Sequence, residues 1–263
     1  MISYIKPPLS ILKYKLKIKK KKIKISKKKI DQNIKLLVDK IRLNGFVIIP
    51  NYVNQKDCEE IISKINNCIA SYKEKIWSDS LSSDKRIFGS EIISEKIMKF
   101  FNDQNLFNIA ESYTNYKIKN LMTMANKVSY IKNNEGSGGG WHKDAYYNQF
   151  KSILYLTDVN KENGPFELIR NSNKILESLK IAFKLRKGYP NTRFSNEEIL
   201  NLKPKKIDQI LGSAGTLILV DTSIIHRGSP IKSGNRYALT NYYVPEDNYE
   251  NLKKQFLPRF SFN

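Results

Sequence analysis

The segment Trp141-His142-Lys143-Asp144 opens the part of the chain that decides its fold and chemistry. In an extended segment, side chains two residues apart point to the same side, so His142 and Asp144 can face one common point. The second and last histidine begins the segment His226-Arg227-Gly228-Ser229-Pro230. Two imidazoles and one carboxylate on one face of a metal leave its other positions open, which suits non-haem Fe(II) oxygen chemistry. We therefore predict that His142, Asp144 and His226 bind a metal.

The residues before His226 indicate a framework of β-strands. Gly215-Thr216-Leu217-Ile218-Leu219-Val220 is an apolar run typical of a buried strand. Further strands are predicted at residues 117–132, 151–157, 165–169, 226–228 and 236–244. Asn163-Gly164 is a hairpin-type turn signal, and residues 170–213 form a helical insertion that we interpret as a lid or as surface packing. Strands on both sides of an insertion, without a βαβ repeat, indicate a mainly β fold with flanking helices, closed as a double-stranded β-helix.

The segments before His142 alternate between helical and loop-like patterns. Apolar residues recur at helical spacing over residues 34–43, and Gly45 ends that helix before a strand at residues 46–49. Asn54 is a helix cap. Beyond it we predict a loop at residues 77–90 and helices at residues 91–101 and 105–112. The glycine-rich segment 133–140 lacks the GK[ST] of a phosphate-binding loop, so we interpret it as a hinge or entrance.

Composition and charge limit the class of protein. The 263 residues suit a large domain, which we place at residues 31–263 after an N-terminal extension. The chain has no run of about 18 apolar residues, so its sequence predicts no membrane span. The two cysteines, Cys58 and Cys68, have no Cys or His partners at zinc or disulfide-scaffold spacing. We therefore expect a cytoplasmic protein in a reducing compartment.

The formal charge of +21 is concentrated at the N-terminus, because residues 1–30 contain twelve lysines and no acidic residue. Lysine alternates with apolar residues over residues 13–19, a period of two that favours a strand over a helix. One interpretation is a basic arm that contacts anionic lipid, polysaccharide or nucleic acid. The other is a flexible, solvated tail, which such charge runs commonly form.

Two further segments resemble a known family. Ser152-Ile153-Leu154-Tyr155-Leu156-Thr157-Asp158-Val159, followed by Glu162-Asn163-Gly164-Pro165-Phe166, is similar to the core of the phytanoyl-CoA dioxygenase family. Leu43-Asn44-Gly45-Phe46-Val47-Ile48-Ile49-Pro50 also resembles it, and the likeness covers roughly residues 31–245. The resemblance implies a cupin-like jelly roll that uses Fe(II), the co-substrate 2-oxoglutarate and O₂.

The resemblance also implies roles for polar residues near the metal. Arg236 would bind the distal carboxylate of 2-oxoglutarate, since a guanidinium fork grips a carboxylate through two parallel hydrogen bonds. The hydroxyls of Ser229 and Tyr155 would add contacts to that carboxylate. Lys143 and Lys151 would either help to bind that carboxylate or be solvated. We interpret Trp141 as a residue that packs behind His142.

Two positions of the sequence bear on the reaction. Many family members carry a histidine where this chain has Asn173, so the function of that histidine must be performed differently here or be absent. Asp144 retains the carboxylate that related halogenating enzymes replace with a small residue. The resemblance therefore favours hydroxylation.

The sequence thus predicts a dioxygenase that hydroxylates a C–H bond of a small-molecule or carrier-linked metabolite. The positive charge permits an acidic substrate. One alternative is a non-catalytic jelly-roll module that binds a sugar or a polyanion. Another is a nucleic-acid dealkylase of the same chemistry, but that branch has a second arginine shortly after the first, and here the next arginine after Arg236 is Arg259.

Overall fold

The computed structural model describes residues 2–20, 31–204 and 207–262. Its α-helices are α1 (Ile2–Lys20), α2 (Gln32–Asn44), α3 (Gln55–Ser71), α4 (Glu95–Phe101), α5 (Gln104–Thr114), α6 (Ile175–Leu185), α7 (Asn196–Leu202) and α8 (Tyr249–Phe256). Its strands are β1 (Phe46–Ile49), β2 (Trp77–Ser78), β3 (Asp84–Phe88), β4 (Ile118–Ser129), β5 (Phe150–Tyr155), β6 (Phe166–Ile169), β7 (Ile207–Ile210), β8 (Leu217–Asp221), β9 (Ile225–Gly228) and β10 (Asn235–Pro245).

The strands form two antiparallel sheets. The larger has the order β1-β8-β5-β10-β4-β3-β2, and the smaller has the order β7-β6-β9. Neighbouring strands come from distant parts of the sequence, as in β1, which pairs with β8. The predicted mainly β jelly roll with flanking helices is confirmed.

The apolar run of strand β8 is continuous because both faces of the strand are buried. Leu217 and Leu219 pack in the core that the large sheet shares with helices α2 to α5. Ile218 and Val220 point to the other side and pack with Phe166 of the small sheet. The functional site lies on this second side, between the sheets.

The predicted helices of the N-terminal half are present, although α4 begins at Glu95 rather than at residue 91, after a short 3-10 helix at Ser90–Ile93. The Asp31 side chain accepts hydrogen bonds from the first turn of α2, and Gly45 ends that helix with a φ of 88°. The Asn54 side chain caps α3 by accepting a hydrogen bond from the Asp57 amide. Of the helices in the described residues, none has the length and apolar character to cross a membrane.

Three sequence-based predictions of secondary structure after residue 31 are wrong. Residues 77–90, predicted as loop, contain β2 and β3, whose polar residues are held in the sheet by pairing with each other and with β4. The predicted helical insertion at 170–213 contains α6 and α7, but Ile207–Ile210 is strand β7. Asn163-Gly164 does not close a hairpin, because β5 and β6 belong to different sheets. A turn signal shows that the chain reverses but not which sheet it enters.

The N-terminal extension also differs from its pattern. The alternating lysines predicted a strand, whereas Ile2–Lys20 is helical. Ile11 is fully buried against Tyr146 and Ala182, so tertiary packing overrides the two-residue period. Residues 21–30 lie outside the described residues, and flexibility of the extension stays a prediction.

Candidate functional site

The structure brings the three predicted metal ligands together. His142 follows the glycine-rich segment, and His226 lies on β9. The two backbones bond to each other: the His142 amide donates to the His226 carbonyl at 2.9 Å, and the His226 amide donates to the His142 carbonyl at 2.8 Å. One donor atom from each of His142, Asp144 and His226 lies within 4.8 Å of the others.

Hydrogen bonds orient both imidazoles toward Asp144. Nδ1 of His142 bonds to the Gly140 carbonyl, and Nδ1 of His226 bonds to the Ile224 carbonyl, each at 2.9 Å. This leaves each Nε2 free to offer its lone pair. These nitrogens lie 3.6 Å (His142) and 4.0 Å (His226) from the Asp144 carboxylate oxygens. The donor set and its spacing fit a divalent metal such as Fe(II).

Burial and charge give these groups the protonation states that a metal requires. Burial lowers the pKa of His226 to about 3 and also lowers the pKa of His142. Burial alone would raise the pKa of Asp144, but Lys151 and the two histidines outweigh it, so that pKa is lowered. Neutral imidazoles and an ionised carboxylate are the metal-binding forms.

The two lysines near the site have different surroundings. Lys151, on β5, is buried with its Nζ 2.6 Å from Asp144 and 3.9 Å from the centre of the Tyr242 ring. Lys143 is also buried, but its Nζ donates to the carbonyls of Ser172 (2.6 Å) and Ser223 (2.7 Å). Lys151 therefore orients the metal-site carboxylate, whereas Lys143 ties together two chain segments behind the site.

Arg236, on β10, is buried beside the metal site. Its Nη1 donates to the Gly164 carbonyl, and its Nε has no hydrogen-bond partner in the part of the chain that the structure describes. Burial lowers its pKa, yet a guanidinium still remains charged at neutral pH. A buried guanidinium that lines a cavity fits a carboxylate ligand.

The two predicted hydroxyl contacts are already engaged with the protein. Tyr155 donates to the Ile210 carbonyl at 3.0 Å and accepts from the Phe166 amide at 2.9 Å, so it joins the two sheets. Ser229 donates to the Pro165 carbonyl at 3.1 Å. Both protons are therefore used by backbone carbonyls, and a role for either hydroxyl toward 2-oxoglutarate stays a prediction.

The three candidate metal ligands, Lys151, Tyr155 and Arg236 line one cavity of about 350 Å³ between the sheets, whereas Ser229 does not line it. Three arginines that the sequence analysis did not select also line it: Arg86, Arg193 and Arg259. They come from β3, from the segment before α7 and from the residues after α8, and no local motif marks them. Of the acidic residues that the structure describes, Asp144 alone lines this cavity.

The glycine-rich segment contacts His142 directly. Gly138 has a φ of 94°, and a Cβ at this position would lie 2.7 Å from Cε1 of His142. Gly140 has a similar φ of 81°, but a Cβ there would meet nothing within 4 Å. Arg193 donates to the carbonyls of Gly138 and Gly139 at 2.7 and 2.8 Å. The segment predicted as an entrance therefore also fixes the position of an imidazole.

Asn173, where the family often has histidine, acts on the site from a distance. Its amide donates to the Asp221 carboxylate at 3.1 Å, and the Tyr113 hydroxyl donates to the same oxygen at 2.7 Å. The residue after Asp221, Thr222, accepts a hydrogen bond from the Asp144 amide at 3.0 Å. Asn173 thus helps to hold the segment against which Asp144 is placed.

Solved structures of several enzymes have a fold similar to that of this chain. The epimerase SnoN of nogalamycin biosynthesis has a TM-score of 0.60 at 13% identity, over 81% of this chain and 83% of its own. HygX from Streptomyces hygroscopicus, solved with nickel and 2-oxoglutarate bound, has a TM-score of 0.56 at 13% identity, over 80% and 87%. The carbocyclase SnoK has 0.61 at 13% identity, over 82% and 85%. At these identities the likeness establishes the fold.

Sequence comparison establishes the family. No curated protein has a significantly similar sequence. The family model of phytanoyl-CoA dioxygenase (PhyH), however, matches residues 41–238, which include all three candidate metal ligands and Arg236. The chain therefore belongs to the phytanoyl-CoA dioxygenase family.

Proposed function

We propose that this protein is an Fe(II)- and 2-oxoglutarate-dependent dioxygenase that hydroxylates a C–H bond of a small-molecule or carrier-linked metabolite. One observation carries the proposal: donor atoms of His142, Asp144 and His226 lie within 4.8 Å of one another and share a cavity with the buried Arg236. Metal and 2-oxoglutarate in HygX, and Fe³⁺ with 2-oxoglutarate in SnoN, support it.

In this proposal each residue has a limited task. His142, Asp144 and His226 hold the iron, which with 2-oxoglutarate and O₂ supplies the oxidising power. Arg236 holds the distal carboxylate of 2-oxoglutarate with its guanidinium group, since this residue lines the cavity. Lys151 keeps Asp144 ionised and oriented. The apolar side chains between the sheets exclude water from the reacting atoms.

Hydroxylation is proposed over the other outcomes of this chemistry. One oxygen atom of O₂ enters succinate, formed with CO₂ from 2-oxoglutarate, and the other enters the substrate as a hydroxyl group. The Asp144 carboxylate occupies a position at which halide would bind in a halogenating relative. The epimerase and carbocyclase among the structural neighbours mark the alternatives that an experiment must separate.

We further propose an acidic substrate, such as a phosphorylated or carboxylated metabolite. Arg193 and Arg259 are exposed residues that line the cavity, and no lining carboxylate in the described chain except Asp144 opposes them. Arg86 also lines the cavity but is paired with Asp84. Arg259 is exposed and lies over the Phe256 ring, with 5.4 Å from its Cζ to the ring centre. We place the enzyme in the cytoplasm, which agrees with the free thiols of Cys58 and Cys68.

The test is a substrate screen under ¹⁸O₂. The protein is supplied with Fe(II), ascorbate and 2-oxoglutarate and offered phosphorylated, carboxylated, neutral and cationic metabolites. We expect succinate formation to rise with an anionic compound and one ¹⁸O atom to appear in its product. Stimulation by neutral or cationic compounds alone would refute the acidic substrate. Turnover without ¹⁸O in the product would refute hydroxylation, and no succinate from a folded, iron-loaded protein would favour a binding module.

A further inference from the structure

Helix α1 has two apolar faces, of which one is attached to the rest of the protein. Ile11 is fully buried, and Tyr14 stacks on Tyr189 with 4.1 Å between ring centres and an interplanar angle of 15°. The backbones approach closely as well, since a Cβ on Gly188 would lie 2.3 Å from the Pro7 carbonyl oxygen. This inner face fixes the helix on α6 and the segment that follows it.

The opposite face carries large aliphatic side chains in solvent. Ile5, Leu9, Leu12 and Leu16 are 46%, 43%, 36% and 59% exposed. Their spacing of four, three and four residues places them in one line along the helix, which we call the outer stripe. The outer stripe extends over about 16 Å at a rise of about 1.5 Å per residue. Aliphatic side chains aligned in this way indicate a surface that contacts something apolar.

Positive charge accompanies the outer stripe. Lys6, Lys13 and Lys17 are exposed, and Lys6 and Lys13 are three and four residues from Leu9, so they lie beside the stripe. Residues 1–30 contain twelve lysines and no acidic residue. The surface of α1 thus combines a line of aliphatic side chains with positive charge.

We propose that the outer stripe of α1 docks the enzyme on an anionic lipid surface. A nucleic acid or an acidic polysaccharide would use the lysines but would gain nothing from four exposed aliphatic side chains. A lipid interface uses both, because aliphatic side chains enter the boundary of the acyl chains while lysines pair with anionic headgroups. The inner face remains on the protein, so docking requires no detachment of the helix. This inference does not depend on the proposed oxygenase reaction.

The test is sedimentation of the full-length protein with vesicles. The vesicles are phosphatidylcholine alone or an equal mixture of phosphatidylcholine and phosphatidylglycerol. The stripe variant carries Leu9→Gln, Leu12→Gln and Leu16→Gln. The matched control carries Leu36→Gln, Leu43→Gln and Leu200→Gln, which are exposed leucines on α2 and α7. Equal melting temperatures of the three proteins would show that folding is unaffected.

We expect the wild type and the control to bind the mixed vesicles, and salt to weaken that binding. The stripe variant should bind about tenfold or more weakly, because burial of aliphatic groups contributes to interfacial affinity. Mixed-vesicle binding by the stripe variant equal to wild type would overturn the proposal. So would equal wild-type binding to both vesicle types. Retention on heparin or DNA without vesicle binding, or a dimer lost only in the stripe variant, would assign the surface to another partner and overturn it too.

Discussion

The cavity has two walls that differ in how their residues are held. The inner wall is formed by Lys151, His226 and Arg236, which are buried and lie on strands β5, β9 and β10. The wall that we call outer is formed by Arg193 and Arg259, which are exposed and lie outside strands and α-helices. Strand residues are fixed by register and by burial on one face. The inner wall is therefore suited to a fixed metal and co-substrate, and the outer wall to a particular substrate.

Removing a metal ligand should have the largest effect. His226→Ala takes away one of three donors from a buried site, so we expect Fe(II) binding to weaken by more than about 100-fold, beyond the usual effect of outer-shell substitutions. Anaerobic equilibrium dialysis with Fe(II) measures this. Iron affinity within a few-fold of wild type in the folded variant would exclude His226 as a ligand and remove the distinction between the walls.

Arg236→Ala should weaken 2-oxoglutarate binding by about 10- to 100-fold, the range for lost hydrogen bonds to a charged group. Iron affinity should change little, because Arg236 is not a donor. Arg236→Lys retains a charge without the planar fork, so we expect an intermediate affinity. Isothermal titration of the iron-loaded protein with 2-oxoglutarate measures all three proteins. If alanine and wild type bind equally, the co-substrate is held elsewhere.

Gly138→Ala should lower iron affinity by about tenfold, because the new methyl group displaces the His142 ring and so acts as an outer-shell change. Gly234→Ala is the matched control: both positions have a positive φ, but a methyl group at Gly234, away from the cavity, would meet only the Asn163 amide at 3.8 Å. Both variants should lose similar stability from backbone strain. Equal iron affinities for the two would show that the segment does not position His142.

Arg259→Gln should act on the substrate alone. An exposed ion pair contributes little, so we expect the KM for an anionic substrate to rise about two- to fivefold, with 2-oxoglutarate binding unchanged. Lys254→Gln, an exposed position on α8 that does not line the cavity, is the control. Steady-state kinetics at two salt concentrations measure the effect. An altered affinity for 2-oxoglutarate in Arg259→Gln would show that this residue contributes to co-substrate binding, the role assigned to the inner wall.

Asn173→Ala should give the smallest effect at the site. The variant loses one hydrogen bond to Asp221, which corresponds to about 1 kcal/mol of unfolding free energy. Chemical denaturation measures this loss. Since Tyr113 still donates to Asp221, iron affinity should stay close to that of wild type. A loss of iron affinity as large as that of Gly138→Ala would make Asn173 part of the metal site.

The difference between the inner and outer walls of the cavity also explains which site residues could be predicted from the sequence. His142 and Asp144 follow a local spacing rule, and β8 and β10 are apolar enough to be recognised as strands. Arg236 lies on β10, and His226 lies on β9, which follows β8 after a short turn. The outer wall has no such pattern, because Arg193 and Arg259 meet only through the tertiary fold.

Local patterns also failed where packing decided the structure. The lysine alternation in α1 favoured a strand, while the spacing of its aliphatic residues, which the fold places on two opposite faces, was the stronger signal. Strand β3 escaped prediction because Asp84 and Arg86 pair with each other in the sheet, and their polarity was typical of a loop.

The most direct test of the metal and co-substrate site is an anaerobic titration of the purified protein with Fe(II) and then 2-oxoglutarate. Chelation of iron by the keto acid gives a weak visible charge-transfer band. We predict this band in wild type, its loss in His226→Ala, and a requirement for much more 2-oxoglutarate in Arg236→Ala. No band in a folded, iron-loaded wild-type protein, or an unchanged band in His226→Ala, would contradict the assignment of His142, Asp144, His226 and Arg236 to an oxygenase site.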